Sequence, residues 1–298
     1  MWVSLAFLAA LMLGLYDVAK KRSLKDNAVL PVLWFNTLFS TIIFMPTLLD
    51  SVVGGGWFDG TLFETASGSL REHALIFAKA ALVLSSWIFG YFGIKHLPLT
   101  IVGPINATRP IMVLVGAMLI FGEKLNFYQW IGVIIAIISL FLLSRSSKKE
   151  GVNFANNRWI LCIAAAALIG AACGLFDRYI MYSMNAIFVQ SWHAVYQLLL
   201  MTIVTAVLWW PKRHEQKFHW SWAIPTISIL LTMADMAYFH ALSDGAAMIA
   251  VVAMIRRSSV IVSFTCGALM FGERNLKAKA LDLLLILIGM IFLYIGSK

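Results

Sequence analysis

The sequence predicts an all-α integral membrane protein of ten transmembrane helices, arranged as two inverted five-helix repeats. Three observations carry this. The chain is 61% hydrophobic and only 12% charged, whereas a soluble domain is nearer half apolar and a quarter charged. Its apolar residues gather into continuous runs of membrane-crossing length. Three short motifs recur in the same order in the two halves.

The runs come first. A hydrocarbon core of about 30 Å needs roughly 20 apolar residues in a helix. Ten runs approach that length, at approximately 2–19, 29–49, 73–95, 98–121, 127–143, 158–180, 187–210, 220–242, 246–271 and 278–295. They are continuous rather than alternating, which favours helices over a barrel. In the first run, "MWVSLAFLAALMLGLYDVAKKRS", the basic cluster follows the apolar stretch instead of preceding it. It therefore reads as a first span rather than a cleaved signal. Most links are short; the exception, 50–72, is Gly-rich and acidic and reads as a surface loop with room for a short interfacial helix.

Charge placement gives the orientation. Of 23 Lys and Arg residues, fifteen fall in the links after odd-numbered spans and four on the opposite side. The positive-inside rule then places the odd links in the cytoplasm and both termini outside. The formal charge of +9 serves orientation and lipid headgroups, so the bilayer and not nucleic acid is the expected partner. Cys162, Cys173 and Cys266 lie inside apolar runs with no disulfide or metal-ligand spacing.

The repeats come next. "GLYD" (Gly14 to Asp17) ends the first span and "GLFD" (Gly174 to Asp177) the sixth. "YF" closes the third (Tyr91, Phe92) and the eighth (Tyr238, Phe239). "GAMLIFGEK" (Gly116 to Lys124) ends the fourth and "GALMFGER" (Gly267 to Arg274) the ninth. The same motifs at matching ends of matching spans predict duplication, with units at 1–145 and 146–298. Five helices per unit make the second copy enter from the opposite side. Inverted repeats of this kind belong to alternating-access transporters, with the substrate site near the midplane.

Two stretches carry a family resemblance: "RPIMVLVGAMLIFGEKL" in the fourth span and "IRRSSVIVSFTCGALMFGERNL" in the ninth. The chain resembles EamA-like ten-helix members of the drug/metabolite transporter superfamily. The resemblance implies a transporter of amino acids, other small metabolites, nucleotide sugars or drugs. Such relatives are usually described with both termini in the cytoplasm, the reverse of the charge count here.

Candidate functional residues follow from charge at depth. Arg109 lies near the centre of the fourth span, in "TIVGPINATRP", where Pro104 and Pro110 each remove a backbone donor. A central charge costs about 2.5–3.5 kcal/mol on insertion scales, so such residues face a cavity or a partner. If spans three and four form a hairpin turning near residue 97, the facing level is Ser85 to Trp87, with no acid. Arg109 is then a candidate for a substrate carboxylate or phosphate, with Asn106 as a polar neighbour. Trp87 and Tyr91, four residues apart on one face, and Tyr238 are candidate walls for an organic substrate.

In the ninth span Arg256 and Arg257 stand side by side. A hairpin turning near Asp244 puts Asp235 within about 4.5 Å in depth of Arg256, so Asp235 is expected to pair with one arginine. The other, expected to be Arg257, would face the cavity in the manner of Arg109. Asp17 and Asp177 end their spans beside Lys20 and Arg178 and read as local pairing or gating residues. Glu123 and Glu273 read as structural. Ala166, Gly170 and Gly174 form a close-packing stripe.

No phosphate-binding loop, nucleophile elbow or metal-ligand cluster is visible, so no enzymatic activity, metal or cofactor is expected. The expected protein is a secondary active transporter of a small organic metabolite, an amino acid or a related solute with an anionic one among the options, by alternating access in the bacterial inner membrane, as a monomer or homodimer. The runner-up is a non-transporting membrane receptor or assembly subunit.

Overall fold

The computed structural model describes residues 2–61, 63–64, 68–109, 111–112, 126–148, 157–181, 184–243, 255–256, 258–270 and 276–297. Among these residues every regular element is helical. The helices are α1 (Trp2–Ser23), α2 (Val29–Ile43), α3 (Met45–Val53), α4 (Leu70–His96), α5 (Leu99–Ala107), α6 (Phe127–Lys148), α7 (Arg158–Met181), α8 (Ala186–Val204), α9 (Ala223–Ser243), α10 (Ser259–Met270) and α11 (Leu276–Ser297).

Four described segments are long and apolar enough to cross a bilayer as single helices: Val3–Ser23, Leu70–His96, Arg158–Asp177 and Ala186–Lys212. A fifth arises if α2 and α3, bent by 53°, form one span. Shorter apolar helices cover Trp130–Ser139, Ala223–Tyr238 and Ser259–Met270. The predicted fourth and ninth spans run partly through residues outside the described set.

The predicted second span is not one straight helix. It stops at Phe44 and restarts with Pro46 in the first turn of α3. A proline there cannot donate to the preceding turn and clashes with it, which bends the chain. α3 then ends at Gly54, whose φ of 66° closes the helix in the left-handed conformation. The acidic loop is held at its base by Asp50, which accepts from the Trp57 amide at 2.9 Å. Ser69 and Glu72 form a capping box that starts α4.

Helix pairing has a regular pattern. α1 packs along α9, and α4 packs along α7. α1 also meets α10, and α5 meets α7; α4 meets α8, and α9 meets α2. α2 also packs with α8, α5 with α10 and α6 with α11, while α11 meets α5 and α3 meets α8. The main core holds Leu33, Leu84, Tyr91, Ile101, Ile163 and Ile227, all essentially inaccessible. Where α1 crosses α10, Gly14 lets the backbones meet: a Cβ there would lie 2.4 Å from Val262 Cβ.

One face is laced by basic side chains on backbone carbonyls. Lys21 donates to the carbonyls of Ile94 (2.7 Å) and Leu97 (2.5 Å), at the end of α4. Lys95 donates to the Asn27 carbonyl at 2.7 Å. The Asn27 side chain donates to the His219 carbonyl (2.7 Å) and accepts from its amide (3.0 Å). Links after the first, third and seventh spans are thereby tied together, with ammonium groups at a helix C-terminus where the backbone is partly negative.

Candidate functional site at a proline-broken helix

The site begins with a break in the backbone. α5 carries Pro104 inside it and ends at Ala107. Proline has no N–H to donate to the preceding turn. Thr108 takes up the break: its amide bonds to the Ile105 carbonyl at 3.2 Å and its hydroxyl donates to the same carbonyl at 2.6 Å. The turn then resumes, with Ile111 and Met112 donating to the Thr108 carbonyl. Arg109 leaves this irregular point. The same local arrangement occurs at Ser258, whose amide (3.0 Å) and hydroxyl (2.6 Å) both donate to the Ile255 carbonyl.

Arg109 reaches α7. Its Nη2 donates to the Ala166 carbonyl at a long 3.5 Å. The guanidinium lies flat over Gly170, where a Cβ would stand 2.9 Å from Cζ and Nη1. Its Nε is buried with no hydrogen-bond partner. The Ala166 carbonyl also accepts from Ser86 Oγ of α4 at 2.8 Å. This puts Arg109 at the Ser85–Trp87 level expected from the hairpin. Nearby, Asn106 Oδ1 is likewise buried without a partner.

Other ionisable groups surround it. Arg109 is in electrostatic contact with Tyr16 and Asp17 of α1, Cys173 of α7 and Arg256. Asp235 of α9 is in electrostatic contact with Arg256, Lys79 and Asp177. Three carboxylates in this field are already engaged. Asp17 holds Lys20 at 3.0 Å, Asp177 holds Lys79 at 2.8 Å, and Asp235 holds Arg256. Among the described residues no carboxylate forms an ion pair with Arg109.

Arg256 also stacks on Tyr238, with its guanidinium carbon 4.2 Å from the ring centre. Of the two arginines that the hairpin geometry offered to Asp235, it is therefore Arg256 that meets it. Arg257, expected to face the cavity, lies outside the described residues, as do Glu123 and Glu273.

Two placements add contacts that the sequence-based expectation did not include. Asp177 meets Lys79 of α4 at 2.8 Å. The α4–α7 packing brings Lys79 across to it, a contact between distant segments that local spacing does not reveal. Tyr91, expected beside Trp87 as a pocket wall, is wholly buried. The Lys20 ammonium lies 5.1 Å from its ring centre and 4.3 Å from that of Tyr16, so Tyr91 serves the Asp17–Lys20 group. Trp87 is half-buried against the main core.

Residues 1–145 match the EamA-like transporter family. The resemblance read from the fourth- and ninth-span motifs is thus borne out over the first half of the chain. A protein of Archaeoglobus fulgidus, named an uncharacterized transporter, is 24% identical over 150 residues, which are 49% of this chain and 49% of that protein. The match therefore spans about half the length of that relative. A solved crystal structure aligns over 99% of this chain and 97% of its own, with a TM-score of 0.62 and 14% identity. That likeness is one of fold. With its EamA-like half and its long apolar helices, the chain is a multi-pass membrane protein.

Lys79, Gly170 and Ser86 were absent from the sequence-derived candidates. Lys79 carried a legible signal: a lysine in mid-span is as costly as an arginine. Gly170 was legible only as part of a packing stripe, because its service to Arg109 depends on where α5 breaks.

Proposed function

We propose that this protein is a secondary transporter that moves a small organic anion, an amino acid or a related metabolite, across a bacterial plasma membrane by alternating access. The observation that carries the reading is the state of Arg109. It sits at a broken helix with a buried, unpartnered Nε, while its charged neighbours are held in ion pairs. A desolvated guanidinium without a carboxylate is unfavourable unless an anion completes it. A substrate carboxylate or phosphate matches its fork geometry. Asn106 would contribute a further polar contact, with Trp87 and Tyr238 on the surrounding helices. The Asp235–Arg256 pair would be able to open as the halves move.

The two-unit architecture, 1–145 and 146–298, belongs to the same proposal. Exchange the halves, so that α1 takes the place of α7 and α4 that of α9. The α1–α9 contact then becomes α7–α4, α1–α10 becomes α7–α5, and α4–α8 becomes α9–α2. The turns at Thr108 and Ser258, 150 residues apart, correspond in the same way. A rocking motion between such halves is the usual course of alternating access. On the charge count both termini face outward, and a C-terminal tag reached only from the periplasmic side is the expected result.

The test is flux. Purified protein in liposomes should move at least one member of a panel of amino acids, organic acids and phosphates. Arg109→Ala should lower that flux about thirtyfold, the weight of a charge-assisted contact of ~2 kcal/mol. Unchanged flux in this variant would remove Arg109 as a substrate ligand. No flux for any solute would favour the receptor or assembly-subunit reading.

A further inference from the structure

We propose that Lys79 is a second anion-binding position, covered by Asp177 in this structure, which an anion occupies on its way to Arg109. This rests on reading Arg109 as the anion site. Lys79 lies in the interior of α4, a costly place for an ammonium group. Its side chain is 8% exposed, while that of its partner Asp177 is 43% exposed. Asp177 is the more accessible member of the pair, with its Oδ1 turned inward onto Lys79. An anion that displaces the carboxylate meets the ammonium.

Lys79 and Arg109 share one wall. Arg109 lies against Ala166 and Gly170 of α7, and Lys79 meets Asp177 of the same helix. Gly170 and Asp177 are seven residues apart, about 10 Å along the axis. Cys173 lies between them on the same face of α7. Two cations thus stand about two helical turns apart along one face. On α7 the residues between them on this face, Cys173 and Gly174, are small.

α8 supplies the remaining contacts. Gln190 Nε2, Gln190 Oε1 and His193 Nδ1 are buried without hydrogen-bond partners. They lie three residues apart, on one face, and His193 is in electrostatic contact with Lys79. Buried polar atoms are ordinarily bonded. An anion on Lys79 would take a donor from this pair. Asp177, once displaced, remains available to a cationic group on the same solute, so an amino acid is received without a net change of charge.

Anion binding tests this in purified full-length protein in nanodiscs, with inorganic phosphate and acetate as separate probes and titration calorimetry as the readout. Asp177→Asn uncovers Lys79 and should tighten binding about tenfold. Lys79→Gln should weaken it by a similar factor. The charge-neutral double variant Lys79→Gln/Asp177→Asn should behave like Lys79→Gln, and it leaves no carboxylate without its cation. Arg109→Gln/Asp177→Asn isolates Lys79 and should still bind a probe weakly. If that variant binds neither probe while wild type does, the Lys79 position is wrong and Arg109 stands. If Arg109→Gln binds like wild type while Asp177→Asn tightens binding, Lys79 stands and the Arg109 reading fails. Binding of neither probe to wild type or to Asp177→Asn overturns both.

Discussion

Lys20 and Arg109 are both cations among packed helices, and the protein treats them in opposite ways. At the end of α1, Lys20 is buried but fully attended. Asp17 holds it at 3.0 Å, and its ammonium lies over the rings of Tyr16 and Tyr91. At the break after α5, Arg109 has one long bond to a carbonyl, an unpartnered Nε and, among the described residues, no carboxylate in an ion pair with it; Asp17, already committed to Lys20, acts on it only at a distance. The first arrangement is complete without a ligand. The second is not, and that difference separates a structural charge from a binding charge more clearly than depth in the membrane does.

Substitutions can break or sharpen this comparison. The largest effect belongs to Asp17→Asn, which leaves Lys20 buried without its carboxylate. A loss of about 2–4 kcal/mol is expected, read as a lower midpoint of unfolding in detergent. Arg109→Gln should do the reverse: stability should hold or rise slightly, while flux falls about thirtyfold. If instead both variants lose stability equally, the two sites are of one kind.

Gly170→Ala should act more gently. Its Cβ would press on the guanidinium at 2.9 Å, and the end of a flexible side chain moves at small cost. Weaker substrate affinity, about fivefold in KM, is expected with a midpoint shift within about 2 °C. A large stability loss would mean that Gly170 serves helix packing alone. Tyr91→Phe is the smallest change. The Tyr91 hydroxyl borders that of Tyr16 and the ring face that Lys20 uses remains, so stability should change by about 1 kcal/mol or less and flux should hold. A loss of flux would return Tyr91 to the substrate pocket.

The membrane character and helical fold were legible because they depend on composition and run length, which are local. The level of Arg109 beside Ser86 was legible for the same reason: distance along a helix from a turn converts directly to a level on its neighbour. That arithmetic also brought Asp235 to the ninth-span arginines. Lys79 facing Asp177 was not legible, because it depends on which helices become neighbours and how each is rotated. The bend at Phe44 escaped for a different reason: Pro46 is in plain view, but an apolar run hides whether the helix kinks or stops there. The role of Gly170 required both the break in α5 and the rotation of α7.

The most direct test of the central claim compares solutes that differ only in charge. Substrate acids should be titrated against their matching primary amides, in wild type and in Arg109→Gln. An uncompensated guanidinium predicts that wild type prefers each acid about tenfold or more, and that the preference disappears in the variant. Equal binding of acid and amide by wild type, or a preference that survives in Arg109→Gln, would contradict the account.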